Sequence, residues 1–549
     1  GYSHLYIHDV ADGDTRQLTD GDMVVSDPTP SPDLSSLYFV ANDRHPGRFD
    51  VHRVAVDGGA PERLTSLPAG RLTYRLSPRG DQLVIRHATT TRPPELYVQA
   101  TIAGAEARRL TSTVSERFAG IDWVKPEIVA VPSTHQDRPI YSRFYPARQD
   151  SRLRDASGRI PAVVFVHGAG YLQNAHMGWS GYFREFMFHT LLAESGYHVL
   201  DMDYRASAGY GAEWRQAIYR HMGQPELEDL QDGVAWMIAK HGVDPDRIGV
   251  YGGSYGGFMT MMALFKDPDL FAAGAALRPV TDWAHYNHPY TSNILNTPDI
   301  DPEAYERSSP IEFADGLEKP LLICAPMLDD NVFFLDTVRL AQKLIELGKE
   351  DWEVAIYPVE PHGFRRPSSW LDEYRRIYTL FEEHLAPFSG GLAQPPGAGA
   401  VRRGRPGARR SSSRGRGTPP LICYDQGECP LTVSSPRHRL AEAPVTRRWL
   451  RRRPPLPFAR TPRRPPTSRM SFIELSTAVA SATPLQRFEI PAPGIHRVVR
   501  AHAKLRWPNP RRRLHKVFKG PFRAAPDNVS PLTSLTIPGV ERRGGGPHS

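Results

Sequence analysis

The chain has 549 residues, 40% of them apolar, enough for two or three domains with ordinary cores. Its formal charge of +8 is uneven: residues 391–549 hold 31 Lys+Arg against 7 Asp+Glu, which leaves 37 against 53 in residues 1–390, so the body is acidic. Three cysteines, of which only Cys324 lies in that body, exclude a disulfide framework there, and no apolar run approaches the roughly 20 residues of a membrane span.

The first 115 residues repeat themselves. Arg16-Gln17-Leu18-Thr19, Glu62-Arg63-Leu64-Thr65 and Arg108-Arg109-Leu110-Thr111 end alike, their threonines 46 residues apart. Ser31-Pro32 and Ser77-Pro78 follow the first two threonines by 12 residues and precede short apolar runs. Leu5–His8, Val51–Val54 and Leu96–Val98 read as strands. A 46-residue unit of short strands is the mark of a propeller blade. Residues 1–125 are therefore expected to form a partial β-propeller of about two and a half blades, and since closure takes at least about four, further blades are expected upstream.

From about residue 131 strands alternate with amphipathic helices, the pattern of a mainly parallel sheet covered on both faces. Strand candidates are Ala162–His167, His198–Tyr204, Arg247–Tyr251, Leu321–Cys324 and Glu353–Tyr357. Trp370, Tyr374, Ile377, Phe381 and Leu385 share one helical face, and that helix is expected to close a domain spanning 126–388. Residues 389–549 carry 24 of the 52 prolines within 391–549 and runs such as Arg451-Arg452-Arg453-Pro454-Pro455, so a disordered tail is expected. Its basic residues are nearly all arginine, whose codons, like those of proline, alanine and glycine, are GC-rich; the preferred reading is translation past a natural end near 388. A nucleic-acid-binding tail is the alternative, since dense arginine neutralises phosphates, but no recognisable motif accompanies it.

Gly252-Gly253-Ser254-Tyr255-Gly256 fits the G-x-S-x-G elbow, in which a strand turns sharply into a helix and presents a serine oxygen. Arg247–Tyr251 before it reads as a buried strand and Phe258–Phe265 after it as a helix, the context the motif demands. The backbone N–H of Tyr255 then becomes an oxyanion donor at the positive end of that helix. A second donor is expected from His167-Gly168-Ala169-Gly170-Tyr171, either as the His167 or Tyr171 side chain or as backbone. Serine needs a base and a carboxylate, which this architecture supplies in the order Ser, Asp, His. Asp329-Asp330 and His362-Gly363 each follow a strand candidate through a short loop, so both come off the sheet edge that carries Ser254.

Gly252–Gly257, Asp329-Asp330-Asn331-Val332 and Pro361-His362-Gly363 together resemble the prolyl oligopeptidase family, and within it the dipeptidyl peptidase IV-like branch of bacterial type, over residues 1–388. That resemblance implies a propeller joined to an α/β-hydrolase domain, with Asp329 rather than Asp330 as triad acid. It also implies substrate contacts from Asn331 and Val332, and a pocket for proline or another small residue lined by Trp283, Tyr286 and Tyr290. The sequence departs from the family pattern at Ala325-Pro326, where many relatives have His-Gly, and at His167, where the branch has a tyrosine. The paired glutamates with which dipeptidyl peptidases hold a free amino terminus have no counterpart before residue 380.

The expected activity is serine-type hydrolysis of short peptides through an acyl-enzyme on Ser254. A carboxylesterase or lipase of the same fold, and a catalytically silent propeller-based binding protein, are the alternatives. No metal or organic cofactor is implied, the expected partner is a peptide substrate rather than a membrane, and compartment and oligomeric state stay open.

Overall fold

The computed structural model of the chain describes residues 1–9 and 13–386, together with three short strands at 487–489, 498–503 and 533–536. The expected basic tail otherwise lies outside the described residues.

Two antiparallel sheets of four strands make up most of the N-terminal region. After β1 (Leu5–His8) and β2 (Thr15–Gln17), which pair as a hairpin, the first sheet runs β3 (Val25–Pro30), β4 (Ser36–Ala41), β5 (Asp50–Ala55), β6 (Glu62–Arg63). The second runs β7 (Arg71–Leu76), β8 (Gln82–Ala88), β9 (Glu95–Ala100), β10 (Arg108–Arg109). The repeated Leu-Thr marker has a physical cause. The Thr19, Thr65 and Thr111 hydroxyls accept the N–H of Leu5 (2.9 Å), Val51 (3.1 Å) and Leu96 (2.9 Å), tying the end of each unit to its inner strand. The Ser-Pro marker is a turn device: Ser31 and Ser77 hydroxyls accept the N–H of Ser36 (3.0 Å) and Gln82 (3.1 Å) at the hairpin ends.

The larger sheet has eight strands in the order β11 (Glu127–Val131), β12 (Ile140–Tyr145), β14 (His198–Met202), β13 (Ile160–Val166), β15 (Val243–Gly253), β16 (Ala273–Leu277), β17 (Leu321–Pro326), β18 (Trp352–Tyr357). Pairing is antiparallel through β11, β12 and β14 and parallel from β14 to β18. Helices Pro225–His241 and Tyr255–Lys266 pack on one face, and Phe183–Ser195 and Pro367–His384 on the other, giving two cores separated by the sheet. On the last helix Ile377 and Phe381 are fully buried, as is Leu385 just beyond its end. This is an α/β-hydrolase domain preceded by propeller blades.

The five expected strands are present with shifted ends, and β11, β12 and β16 join them. β16 reads Ala-Gly-Ala-Ala-Leu and has no β-branched residue; only its position between β15 and β17 makes it a strand. Because β13, β15, β17 and β18 run parallel, their C-terminal ends come to one rim, where loops leave the sheet. Among the described residues no helix is long and apolar enough to cross a membrane.

Candidate active site

Ser254 follows β15 directly and precedes the helix Tyr255–Lys266. Its backbone is held at φ 59° and ψ −115°, a left-handed conformation a serine adopts only where the surroundings impose it. The surroundings here are the glycines. A Cβ on Gly252 would lie 2.4 Å from the Val166 carbonyl oxygen and one on Gly256 2.0 Å from the same oxygen, so β13 and the helix start approach too closely for any side chain. Ser254 N–H donates to Leu277 O at 2.8 Å, pinning the turn to β16. The hydroxyl is half-buried and makes no hydrogen bond among the described residues; serine–base contacts commonly tighten only when substrate binds.

Asp329 and His362 occupy the loops after β17 and β18. Asp329 is buried, and its Oδ2 lies 2.7 Å from His362 Nδ1. Its Oδ1 accepts the N–H groups of Asn331 and Val332, both at 2.9 Å, so the carboxylate is locked in orientation. Asp330 beside it is exposed. The two loops are laced together: Leu328 N–H donates to Glu360 O (3.0 Å) and Met327 N–H to Tyr357 O (3.0 Å).

A residue that sequence reasoning missed shapes the histidine loop. Glu360, fully buried, accepts the N–H groups of Arg365 (2.6 Å) and Arg366 (3.3 Å) and the Ser369 hydroxyl (2.6 Å), clamping the chain on both sides of His362. In the sequence it is one acid among many, and nothing local marks it. Arg278, also missed, sits below the elbow: a Cβ on Gly253 would lie 2.8 Å from its Nη2. Its guanidinium pairs with Glu373 at 3.1 Å and lies over the rings of Phe364 and Trp370, so it links the elbow to the histidine loop and the last helix.

The loop His167–Tyr171 lies against the serine, since a Cβ on Gly168 would be 3.4 Å from Ser254 Cβ. Of the donors that the sequence leaves open in this loop, the His167 side chain is engaged elsewhere. The ring is fully buried and stacks on Tyr204 at 4.5 Å, with Nδ1 3.0 Å from Gly168 O and Nε2 3.0 Å from Ser207 Oγ. Nε2 also lies 3.4 Å from the buried Asp203 carboxylate, which draws the imidazole inward and keeps it there. Further along, Arg143 Nη2 donates to His176 O (2.7 Å) and Gly178 O (2.8 Å), while the Gln173 side chain donates to Pro46 O (2.9 Å) and Met177 N–H to Gly47 O (2.8 Å). A buried cation and the first blade therefore brace this loop from two sides.

Trp283, Tyr286 and Tyr290 come together as a group, Trp283 almost fully buried with Tyr286 edge-on at 5.4 Å and Tyr290 at 6.0 Å. Tyr286 O–H donates to Asn331 Oδ1 at 2.6 Å, which joins this group to the aspartate loop; Val332 is buried beside it. Burial pushes the Tyr286 phenol up to about 12, so it stays a neutral donor. Tyr255 extends the cluster, its ring 5.7 Å from Trp283 and 6.0 Å from Tyr204. Among the described residues no cluster of His, Cys, Asp and Glu suits a metal ion.

Residues 184–387 match the prolyl oligopeptidase family, and residues 1–94 match the dipeptidyl peptidase IV (DPP IV) N-terminal region. The chain is 31% identical over 270 residues to dipeptidyl peptidase 8 of Homo sapiens, covering 48% of this chain and 29% of that protein. It is 28% identical over 404 residues to probable dipeptidyl-aminopeptidase B of Talaromyces marneffei, covering 68% and 42%. The crystal structure of Porphyromonas gingivalis dipeptidyl peptidase 4 superposes with a TM-score of 0.63 at 25% identity, covering 70% of this chain and 53% of that one. The chain thus spans less than half the length of these curated relatives.

Proposed function

We propose that this chain, which belongs to the prolyl oligopeptidase family and its dipeptidyl peptidase IV-like branch, is a serine peptidase that hydrolyses short peptides after proline or a small residue. The observation that carries the reading is the 2.7 Å contact of the buried Asp329 with His362 at the rim where Ser254 closes β15 in a strained turn. Nδ1 of His362, held by Asp329, leaves Nε2 as the atom to take the Ser254 proton as the hydroxyl attacks a peptide carbonyl. The tetrahedral oxyanion falls to the N–H of Tyr255, whose place in the first helical turn leaves it without an intrahelical acceptor, and to backbone N–H groups of the His167–Tyr171 loop. Collapse expels the amine, protonated by His362, and water then hydrolyses the ester by the reverse path.

Trp283, Tyr286 and Tyr290 form the walls of the subsite for the residue before the cut bond. Flat rings suit a pyrrolidine, since both bury apolar faces. Asn331, placed by both Tyr286 and Asp329, is oriented to contact the substrate backbone. Domain limits of 1–125 for the blades and 126–388 for the catalytic part follow from the same reading. Steady-state kinetics with Xaa-Pro and Xaa-Ala anilides against short-chain acyl esters tests it. Cleavage of the prolyl anilide that exceeds ester turnover in kcat/KM is expected; ester turnover without anilide cleavage would assign an esterase instead.

A further inference from the structure

The residue after the nucleophile carries a buried contact that the reaction as described does not use. Tyr255 is almost fully buried, and its hydroxyl donates to the carboxyl group of Glu226, a short contact deep under the elbow. Glu226 lies in the first turn of the helix Pro225–His241 and is fully buried. Its other oxygen accepts Gly223 N–H at 2.8 Å, and among the described residues it has no ion-pair partner. The Tyr255 ring is gripped from several directions. A Cβ on Gly170 would lie 3.0 Å from it, Tyr204 stacks at 6.0 Å with planes 4° apart, and Phe258 and Trp283 pack at 5.0 and 5.7 Å. One side chain thus touches the oxyanion loop through Gly170, the pocket through Trp283 and the nucleophile through its own backbone.

We propose that Glu226 is a positioning residue of the active site, acting through the Tyr255 hydroxyl to hold the Tyr255 N–H, the Ser254 turn and the Trp283 wall in register. The inference rests on the peptidase reading above. A buried carboxyl without a cation is an unfavourable way to fill space, and an apolar side chain of that size would serve packing alone. Its cost is offset by a specific acceptor for a hydroxyl that would otherwise be orphaned beside the oxyanion donor. Burial also pushes the Glu226 carboxyl up to about 7, which favours its neutral form relative to an exposed glutamate. The titratable and charged groups that face it are Tyr255 and Lys266 on the nucleophile's helix, Tyr204 after β14, Tyr290 in the pocket and Asp229 one turn along.

The test is a double-mutant cycle on the full chain with a prolyl anilide, in which wild-type turnover first establishes the peptidase reading on its own. Glu226→Leu and Tyr255→Phe are each expected to lower kcat roughly 10- to 100-fold with KM within about threefold, because misplacement of the reacting groups affects the transition state more than binding. The double variant is expected to be no slower than the worse single one. Glu226→Gln, which keeps an acceptor for the tyrosine, is expected to recover most of kcat, and melting curves identify any variant that fails to fold. If Glu226→Leu does not fold, Tyr255→Phe and Glu226→Gln decide alone. Wild-type kcat in Tyr255→Phe, multiplicative losses in the double variant, or a Gln variant as slow as the Leu variant would overturn the proposal.

Discussion

Asp329 meets His362 with one carboxylate oxygen while the other is already held by the N–H groups of Asn331 and Val332. The acid therefore cannot swing away, and the imidazole it faces is fixed in tautomer. Asp329→Asn puts an amide where Nδ1–H needs an acceptor, and kcat on a prolyl anilide should fall about 10³- to 10⁴-fold. The exposed neighbour provides the contrast: Asp330→Asn should leave kcat within about twofold, as surface changes remote from such contacts usually do.

Glu360 closes three donors around the histidine loop. Glu360→Ala removes the shared acceptor of two backbone N–H groups and a hydroxyl in part-buried contacts, each bond worth about 0.5–1.5 kcal/mol. Chemical denaturation should show a lower midpoint, and kcat should drop at least about tenfold because His362 loses its fixed approach. A variant with wild-type kcat would show that the histidine loop holds its shape without the clamp.

The propeller marker offers a stability test far from the chemistry. Thr65 accepts from Val51 N–H and donates to Asp50 Oδ1 at 2.8 Å, all buried. Thr65→Val keeps the shape and deletes both bonds, and a loss of about 1–3 kcal/mol in unfolding free energy is expected. Thr65→Ser should lose less, because the hydroxyl remains.

Much of this arrangement was legible before any coordinates, and the reason differs by residue. The elbow is local: glycines on both sides of Ser254 are needed wherever a strand and a helix start press on one carbonyl, so pattern and geometry coincide. The blades were legible because Thr and Ser repeat with the hydrogen bonds they make. The choice of Asp329 over Asp330 came only from family resemblance, since burial against His362 is a tertiary fact. The donor in the His167 loop stayed open in the sequence because Tyr204, Ser207 and Asp203, which engage the ring, are distant along the chain. Nothing local in the sequence marks Glu226 or Glu360, for the same reason.

Stability should depend on pH through buried carboxyls, Asp201 and Glu226 among them. Burial raises Asp201 to about 7, against the pull of Arg143, and raises Glu226 to about 7, against the Tyr255 hydrogen bond. For such groups the stabilising contribution is complete below the unfolded value near 4 and is lost as pH rises through about 7. His176 and His189, kept unprotonated by burial, act in the opposite sense as pH falls below their unfolded value near 6.5. Melting temperature should therefore fall between about pH 6.5 and 8, and Asp201→Asn or Glu226→Gln should flatten that decline. A flat wild-type profile would mean that neither carboxyl is desolvated as described.

The most direct measurement is covalent capture of the nucleophile. Incubation of the full chain with a prolyl diphenyl phosphonate, followed by tryptic digestion and mass spectrometry, should place one stoichiometric adduct on Ser254 within the peptide Ile248–Lys266. The adduct should vanish in Ser254→Ala and form far more slowly in Asp329→Asn. A folded wild-type chain that takes no label, or a label that persists in Ser254→Ala, would contradict the assignment.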